Sequence, residues 1–86
     1  MSIEHFQQTL MDSYNSSQDP VVQESAKIAY QYTEMVTTGQ LSKEEYTELM
    51  KDIYRTNNIN KSVHNQEILE YMNVAINGLI TLASAV

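Results

Sequence analysis

The sequence predicts an all-α protein, a small helical bundle that forms one domain over residues 1–86. Apolar residues recur every three or four positions through most of the chain, which is typical of amphipathic helices. Polar breaks separate these periodic segments, and the single proline lies at one of them. The chain is also too short for two domains, because small domains bury only about 60% of the surface that the unfolded chain exposes. We therefore expect four helices around one core.

The first helix is predicted over residues 3–14. Ser2 precedes it and is a suitable N-cap, because a serine oxygen accepts a hydrogen bond from the free amides of a first helical turn. The polar run at 15–18 ends this short helix. Its apolar positions lie at helical spacing and are Ile3, Phe6, Leu10 and Tyr14.

A second helix is predicted over residues 20–38. Asp19 is a favourable N-cap, and Pro20 occupies the first helical position, where its missing N–H costs nothing. Gly39 follows the helix, at a position that favours a left-handed residue. Charged and amide side chains lie on one side of this helix. The apolar side consists of Val21, Ile28, Ala29, Tyr32, Met35 and Val36.

The third helix is predicted over residues 43–56, and its start is the clearest local signal in the chain. Ser42 can cap the amide three residues further on while Glu45 reaches back to the cap, which together form a capping box. The connection at 39–41 is so short that helices two and three are expected to be antiparallel neighbours, a helical hairpin. The apolar stripe of the third helix consists of Tyr46, Leu49, Met50, Ile53 and Tyr54.

The hairpin sequence TEMVTTGQLSKEEYTELMKDI, at positions 33–53, has a recognisable order of residues. A glycine is followed by an aliphatic residue, a serine, two acids and an aromatic residue before the second helix. These positions are Gly39, Leu41, Ser42, Glu44, Glu45 and Tyr46. The segment resembles a SHOCT-type helical hairpin. That resemblance implies a role in oligomerisation or other protein–protein contact, and it implies no catalytic residue.

The fourth helix is predicted over residues 62–85, after a break at 57–61 around which Ile59 and Val63 are expected to turn inward. At about 100° per residue, apolar side chains cover roughly 240° of its circumference. Helices two and three would cover only roughly half of that girth. The flank that they leave uncovered is expected to contain Leu69, Ile76, Ile80 and Ala83.

Two interpretations of the fourth helix stay open. In one, it is the central helix of a four-helix core, and the first helix covers the remaining flank. In the other, that flank mediates self-association or insertion into a larger assembly, because each exposed aliphatic side chain forgoes about 1.5–3 kcal/mol. Asn73 and Asn77 are expected on a polar strip facing water. The predicted interface residues are Leu69, Met72, Ile76, Leu79, Ile80, Ala83 and Val86.

Charge is distributed unevenly along this chain, whose net charge is −6. Residues 1–50 contain eight acidic and two basic side chains, whereas residues 51–86 contain three of each. Nucleic-acid binding normally requires a basic surface that neutralises phosphates, so we expect no nucleic-acid partner. The acidic charge is compatible with a second hypothesis, in which the protein docks on a basic surface of another protein.

No set of residues predicts catalysis. The chain has no cysteine, no glycine-rich phosphate loop and no spacing that suggests a nucleophile with its base. His64 and Glu67 share a helical face, but with only two histidines in the chain they make a poor metal set. We therefore predict a protein that is not an enzyme, with no cofactor, no metal and no small-molecule substrate.

The predicted function is a non-enzymatic protein–protein interaction module. The preferred form is a self-associating structural or assembly subunit of a larger complex, for which a phage accessory protein is one setting. The alternative is an acidic inhibitor or adaptor that docks on a basic surface of another protein.

The first fourteen residues lack the features of a secretory signal, and the apolar tract after Glu70 spans about 16 residues, fewer than the ~20 that cross a bilayer. We expect no membrane contact and a cytoplasmic or virion-associated location.

Overall fold

The computed structural model describes residues 2–85 as a four-helix bundle. Consecutive helices pack antiparallel around one core, which confirms the predicted all-α architecture. The bundle measures 36 × 21 × 20 Å along its principal axes. Each helix contacts its neighbour in sequence, α1 also contacts α4, and α2 contacts α4 across the middle. The helices are α1 (Ile3–Ser16), α2 (Pro20–Thr37), α3 (Lys43–Asn60) and α4 (Gln66–Ser84).

The three predicted helix starts at Ser2, Asp19 and Ser42 are confirmed. The Ser2 hydroxyl accepts from the His5 amide at 3.3 Å, and the Asp19 carboxylate accepts from the Val21 amide at 2.9 Å. These bonds satisfy amides that have no partner within their own helix. The α1 and α2 helices accordingly begin at the predicted residues, although α1 ends two residues later than predicted, at Ser16.

The capping box at the start of α3 is complete. The Ser42 hydroxyl accepts from the Glu45 amide at 3.1 Å, and the Glu45 carboxylate accepts from the Ser42 amide at 3.1 Å. The backbone hydrogen bond from Ser42 holds the pKa of Glu45 below its ordinary value, because it stabilises the charged carboxylate. Gly39 has a φ of +82°, the left-handed conformation predicted for it, and it lets the chain turn from α2 into α3.

The predicted break at 57–61 is wrong, because α3 continues through it to Asn60. Asn57 is fully buried and hydrogen-bonds to both neighbouring helices, which outweighs the poor helix propensity of a run of asparagines. The connection to α4 lies instead at 61–65, so α4 begins at Gln66 and not at residue 62. Ile59 and Val63 do not turn inward. Their exposed fractions are 81% and 93%.

The core lies along α4, which contributes its largest share of buried side chains. Leu69, Met72, Ile76 and Leu79 are buried there, with Ala75 between them. Phe6 and Leu10 of α1 close the side of α4 that the hairpin does not reach. The α4 helix is therefore the central helix of the bundle, as the first of the two interpretations proposed.

A buried polar contact lies in the seam between α2 and α3. The hydroxyls of Thr33 and Tyr46 lie 2.8 Å apart and share a hydrogen bond, while Thr33 also donates to the Ala29 carbonyl. Burial raises the pKa of the Tyr46 phenol above its ordinary value, since the charged phenolate would lose its water shell. The seam thus keeps a neutral hydroxyl pair in an otherwise apolar core.

Candidate binding groove between α2 and α3

The α2 helix has two apolar faces, and the smaller residues occupy the inner one. Its buried positions are Val22, Ala26, Ala29 and Thr33. Ile28 and Tyr32, which are larger, lie one position to the side of this face and are only half-buried, and Val21 beside Val22 is also half-buried. A domain that folds only to bury apolar surface is expected to place its larger side chains inward. This outward face of α2 is therefore the first sign of a binding surface.

These outward residues form one wall of a groove along the α2–α3 hairpin, with Leu49 and Ile53 of α3 on the opposite wall. The groove has a volume of about 640 Å³ and is open to solvent along its length. Tyr32 and Ile53 also pack against the core. We call this surface the hairpin groove. It offers a continuous apolar strip between two antiparallel helices.

Acidic side chains border the hairpin groove on both sides. Glu24 lies on the α2 rim and Asp52 on the α3 rim, and no basic residue lies among the described residues that line it. Asp52 accepts a 2.6 Å hydrogen bond from Arg55. Both side chains of that pair are more than 60% exposed, so water screens it and leaves the pair weak. Asp52 is therefore able to exchange this partner for a basic group in the groove.

Ile59 adds an exposed apolar side chain at the end of the groove, next to Asn60. It lies three residues after Thr56 and seven after Asp52, which places all three on one helical face. Thr56 and Asp52 line the groove, so Ile59 lies on the same rim, one turn further along α3. An isoleucine that is 81% exposed at such a position adds apolar contact area.

The residues that the sequence predicted as an interface are mostly inside the bundle. Leu69, Met72, Ile76 and Leu79 have almost no exposed area and are covered by the chain's own helices. The prediction that Leu69 and Ile76 lie on an uncovered flank is wrong, because α1 covers that side of α4. Two further members, Ile80 and Ala83, are half-buried against the core. Val86 lies outside the described residues.

A different pair of apolar residues is exposed on α4. Tyr71 is 52% and Val74 is 70% exposed, and they are three residues apart on the outer face of the helix. Neither residue lines the hairpin groove. On this α4 outer face, Val74 also lines a cavity of about 310 Å³ between α3 and α4, which is smaller than the hairpin groove.

A chain of buried amides connects three helices beside the groove. Ser25 of α2 donates to Asn57 at 2.7 Å, and Asn57 donates to Asn73 of α4 at 2.9 Å. The expectation that Asn73 faces water is wrong, because it is 6% exposed and also donates to Asn58 at 3.2 Å. Asn77 is exposed, as expected. Directional bonds of this kind fix the register of the helices more closely than apolar contacts do.

The described residues offer little for chemistry. Within residues 2–85, no group of three or more histidine or acidic side chains is placed to hold a metal ion. His64 lies in the 61–65 connection and Glu67 in the first turn of α4, and both are exposed. All buried side-chain nitrogen and oxygen atoms of the described residues have hydrogen-bond partners. A second open cavity, also of about 640 Å³, is lined mostly by polar residues, His64 and Glu67 among them. The hairpin groove differs from it in its more apolar lining.

Sequence reasoning placed the outward residues of α2 correctly on an apolar side but missed the groove. The available signal was the pairing of adjacent apolar positions at 21/22 and 28/29, which widens the apolar arc beyond what one core face requires.

No helix within residues 2–85 is both long and apolar enough to cross a membrane. No family model, curated protein or solved structure matches this chain, so the SHOCT resemblance of residues 33–53 stays a prediction.

Proposed function

We propose that this protein is a non-enzymatic interaction module that binds another protein through the hairpin groove. The observation that carries the proposal is the reversed arrangement of α2, in which Ile28 and Tyr32 face the groove while Ala26 and Ala29 face the core. Half-buried large apolar residues in a concave strip are the usual composition of a protein-binding surface.

The partner surface is basic. Glu24 and Asp52 border the groove, and the whole chain carries a net charge of −6. A second copy of this chain would bring like charges to the same place, which costs free energy, whereas lysine or arginine side chains would be attracted. The adaptor or inhibitor form of the interaction module therefore has more support than self-association through this groove.

A peptide-display selection against the intact protein tests the proposal, and it requires no identified partner. Selection from a random library, with counter-selection against the Ile28→Asp variant, should enrich peptides that combine aliphatic residues with lysine or arginine. Ile28 is half-buried, so the variant is expected to fold, and circular dichroism checks that it does. Enrichment of acidic peptides, or of peptides that bind Ile28→Asp equally well, would contradict the proposal.

The matched control is Val74→Asp, which introduces the same charge at an exposed apolar residue outside the groove. The selected peptides should bind this variant as they bind the unchanged protein. Their affinity should also fall as the salt concentration rises, because exposed charge pairs are screened. Equal losses for the two variants would show that binding depends on net charge and not on the groove.

The α4 outer face favours a second candidate, a self-associating assembly subunit. Tyr71 and Val74 are exposed together there, and α4 carries only two charged residues along its length, Glu67 and Glu70. Sedimentation equilibrium tests it. A mass near twice that of the monomer, reduced to the monomer mass by Val74→Asp but not by Ile28→Asp, would support it. A monomer at millimolar concentration would exclude it.

A further inference from the structure

We infer that the hairpin groove binds one amphipathic α-helix of the partner protein, with an apolar stripe toward the groove and lysine or arginine on its flanks. This inference rests on the proposed function and adds the conformation of the ligand. A ligand with both basic and apolar side chains can bind as an extended strand, a polyproline helix or an α-helix. The backbone and the composition of this groove distinguish between these conformations.

The walls of the groove are helices, and this excludes recognition by strand addition. Backbone N–H and C=O groups along α2 and α3 are already used within each helix. An extended peptide gains its affinity from backbone hydrogen bonds to a free strand edge, and α2 and α3 offer none here. A helical ligand satisfies its own backbone groups, so it needs only side-chain contacts from the groove.

The composition of the groove also argues against a polyproline ligand. Such ligands dock between several aromatic rings, whereas Tyr32 is the only aromatic residue among the described residues that line the groove. Its other apolar side chains are mostly branched aliphatic residues, and these interdigitate with the ridges of a helix. Val21, Ile28 and Leu49 supply the sides into which such ridges fit.

The length of the groove sets the length of the ligand. On α2 the lining runs from Pro20 to Tyr32, and on α3 it runs from Leu49 to Asn60. At 1.5 Å per residue, each span is about 17 Å, which corresponds to about 12 residues or three turns of a bound helix. Three turns place apolar anchors of the ligand at positions i, i+3 or i+4, and i+7.

The bound helix would lie opposite α4. The α4 helix contacts both α2 and α3 from within the bundle, so a helix in the groove would complete a second layer on their outer side. Glu24 and Asp52 would then face the two flanks of the ligand, one from each rim. Ile59 would contact one end of it, because it lies next to Asn60 at the end of the α3 rim.

The experiment uses the full chain and three synthetic peptides of about 14 residues. The first carries leucines at helical spacing and lysines on both flanks. The second has the same composition with the leucine spacing scrambled, and the third replaces lysine by glutamate. Backbone amide chemical shifts report where each peptide binds, and carbonyl-labelled peptide reports whether it becomes helical.

The first peptide should shift amides of α2 and α3 around the groove and become helical on binding. Scrambling the spacing or introducing Ile28→Asp should weaken its affinity at least about tenfold, as expected for loss of a central apolar anchor. The double variant Glu24→Gln/Asp52→Asn should weaken it by about threefold to tenfold, with a smaller salt dependence. Val74→Asp should leave the affinity unchanged.

Three results would overturn the inference: equal binding of the scrambled peptide, shifts confined to residues outside the hairpin groove, or binding in an extended conformation. The last of these would leave the proposed function intact, because a basic extended ligand in the groove still satisfies it. If no peptide selected from the display library required Ile28 for binding, both the inference and the proposed function would be contradicted. The two failures are therefore distinguishable.

Discussion

The α2 and α4 helices are almost equal in length, with 18 and 19 residues, but they bury opposite kinds of side chain. In α4 the large aliphatic residues, Leu69, Ile76 and Leu79 among them, are inside the core. In α2 the inner face consists of Val22, Ala26, Ala29 and Thr33, whereas the larger Ile28 and Tyr32 remain half-exposed in the hairpin groove. The α4 helix therefore buries large apolar side chains, whereas α2 leaves large apolar side chains partly accessible to solvent.

The two helices also differ in how their first turns are satisfied. The Asp19 carboxylate caps α2, and its second oxygen accepts from Asn65 at 2.9 Å, which ties the two connections at this end of the bundle together. No side chain among the described residues caps α4. Since a side-chain cap contributes about 1 kcal/mol, α4 depends more on burial than α2 does. Substitutions in the two helices should therefore have very different effects on stability.

The largest expected effect is for Ile76→Ala in α4. Ile76 is fully buried, so its truncation should lower the free energy of unfolding by about 3 kcal/mol, through lost burial and the cavity left behind. The matched variant is Ile28→Ala in the groove, which should cost less than about 1 kcal/mol because Ile28 is half-exposed. Urea denaturation measures both. Similar losses would mean that the groove residues are part of the core.

Asn57→Ala should have the next largest effect. It removes the amide that links Ser25 of α2 to Asn73 of α4 and leaves both without this buried partner. We expect a loss of about 2 kcal/mol in the free energy of unfolding. Asn58→Ala is the graded control, because it removes only one partly buried bond, at 3.2 Å, and should cost clearly less. A neutral Asn57→Ala would show that the amides do not stabilise the register.

Gly78→Ala tests how closely α1 packs on α4. A Cβ atom at Gly78 would lie within 3.0 Å of three atoms of the Phe6 ring, so the ring would have to move. Overpacking of this kind costs about 1–3 kcal/mol, and the higher helix propensity of alanine offsets about 1 kcal/mol of it. We expect a net destabilisation of about 1 kcal/mol by thermal unfolding. Asn77→Ala, at the exposed neighbouring position, should be neutral or slightly stabilising.

The smallest expected effect is on the pH dependence of stability, through Tyr46 in the α2–α3 seam. Burial raises the pKa of Tyr46 above its ordinary value of 10.0, so the folded state holds the phenol proton more tightly than the unfolded state. The stability associated with this group is fully present below that ordinary value, and it is lost as the pH rises through the folded-state pKa.

Denaturant unfolding between neutral and strongly alkaline pH measures this dependence. The unchanged protein should lose stability above about pH 10 more steeply than Tyr46→Phe, which has no phenol proton to release. The variant should start from a lower stability at neutral pH, because it loses the hydrogen bond to Thr33. Parallel pH profiles for the two proteins would show that Tyr46 is not held neutral by burial.

Local signals in the sequence predicted helix starts better than they predicted helix ends. Ser2, Asp19 and Ser42 cap the helices as expected, because capping depends on residues within one turn of each other. The end of α3 was missed because Asn57 is stabilised in the helix by side chains 32 residues before it and 16 after it. No local pattern contains those contacts.

The candidate site was only partly predictable. The acidic character and the apolar side of α2 follow from composition and periodicity. Most of the predicted α4 interface is buried, because the prediction counted only α2 and α3 as helices that cover the apolar circumference of α4. Phe6 and Leu10 of α1 cover the remainder. Whether a wide apolar arc is core or surface depends on how many helices surround it.

The sequence by itself determined the number of helices, the side-chain caps of the first three and the negative charge, because these depend on local hydrogen bonds and on residue counts. The tertiary structure alone decided which of two adjacent apolar residues on one helix faces inward. Burial of apolar surface has no preferred direction, so adjacent apolar residues such as Val21 and Val22 compete for the same core. Close packing in the core buried Val22 and left Val21 in the hairpin groove.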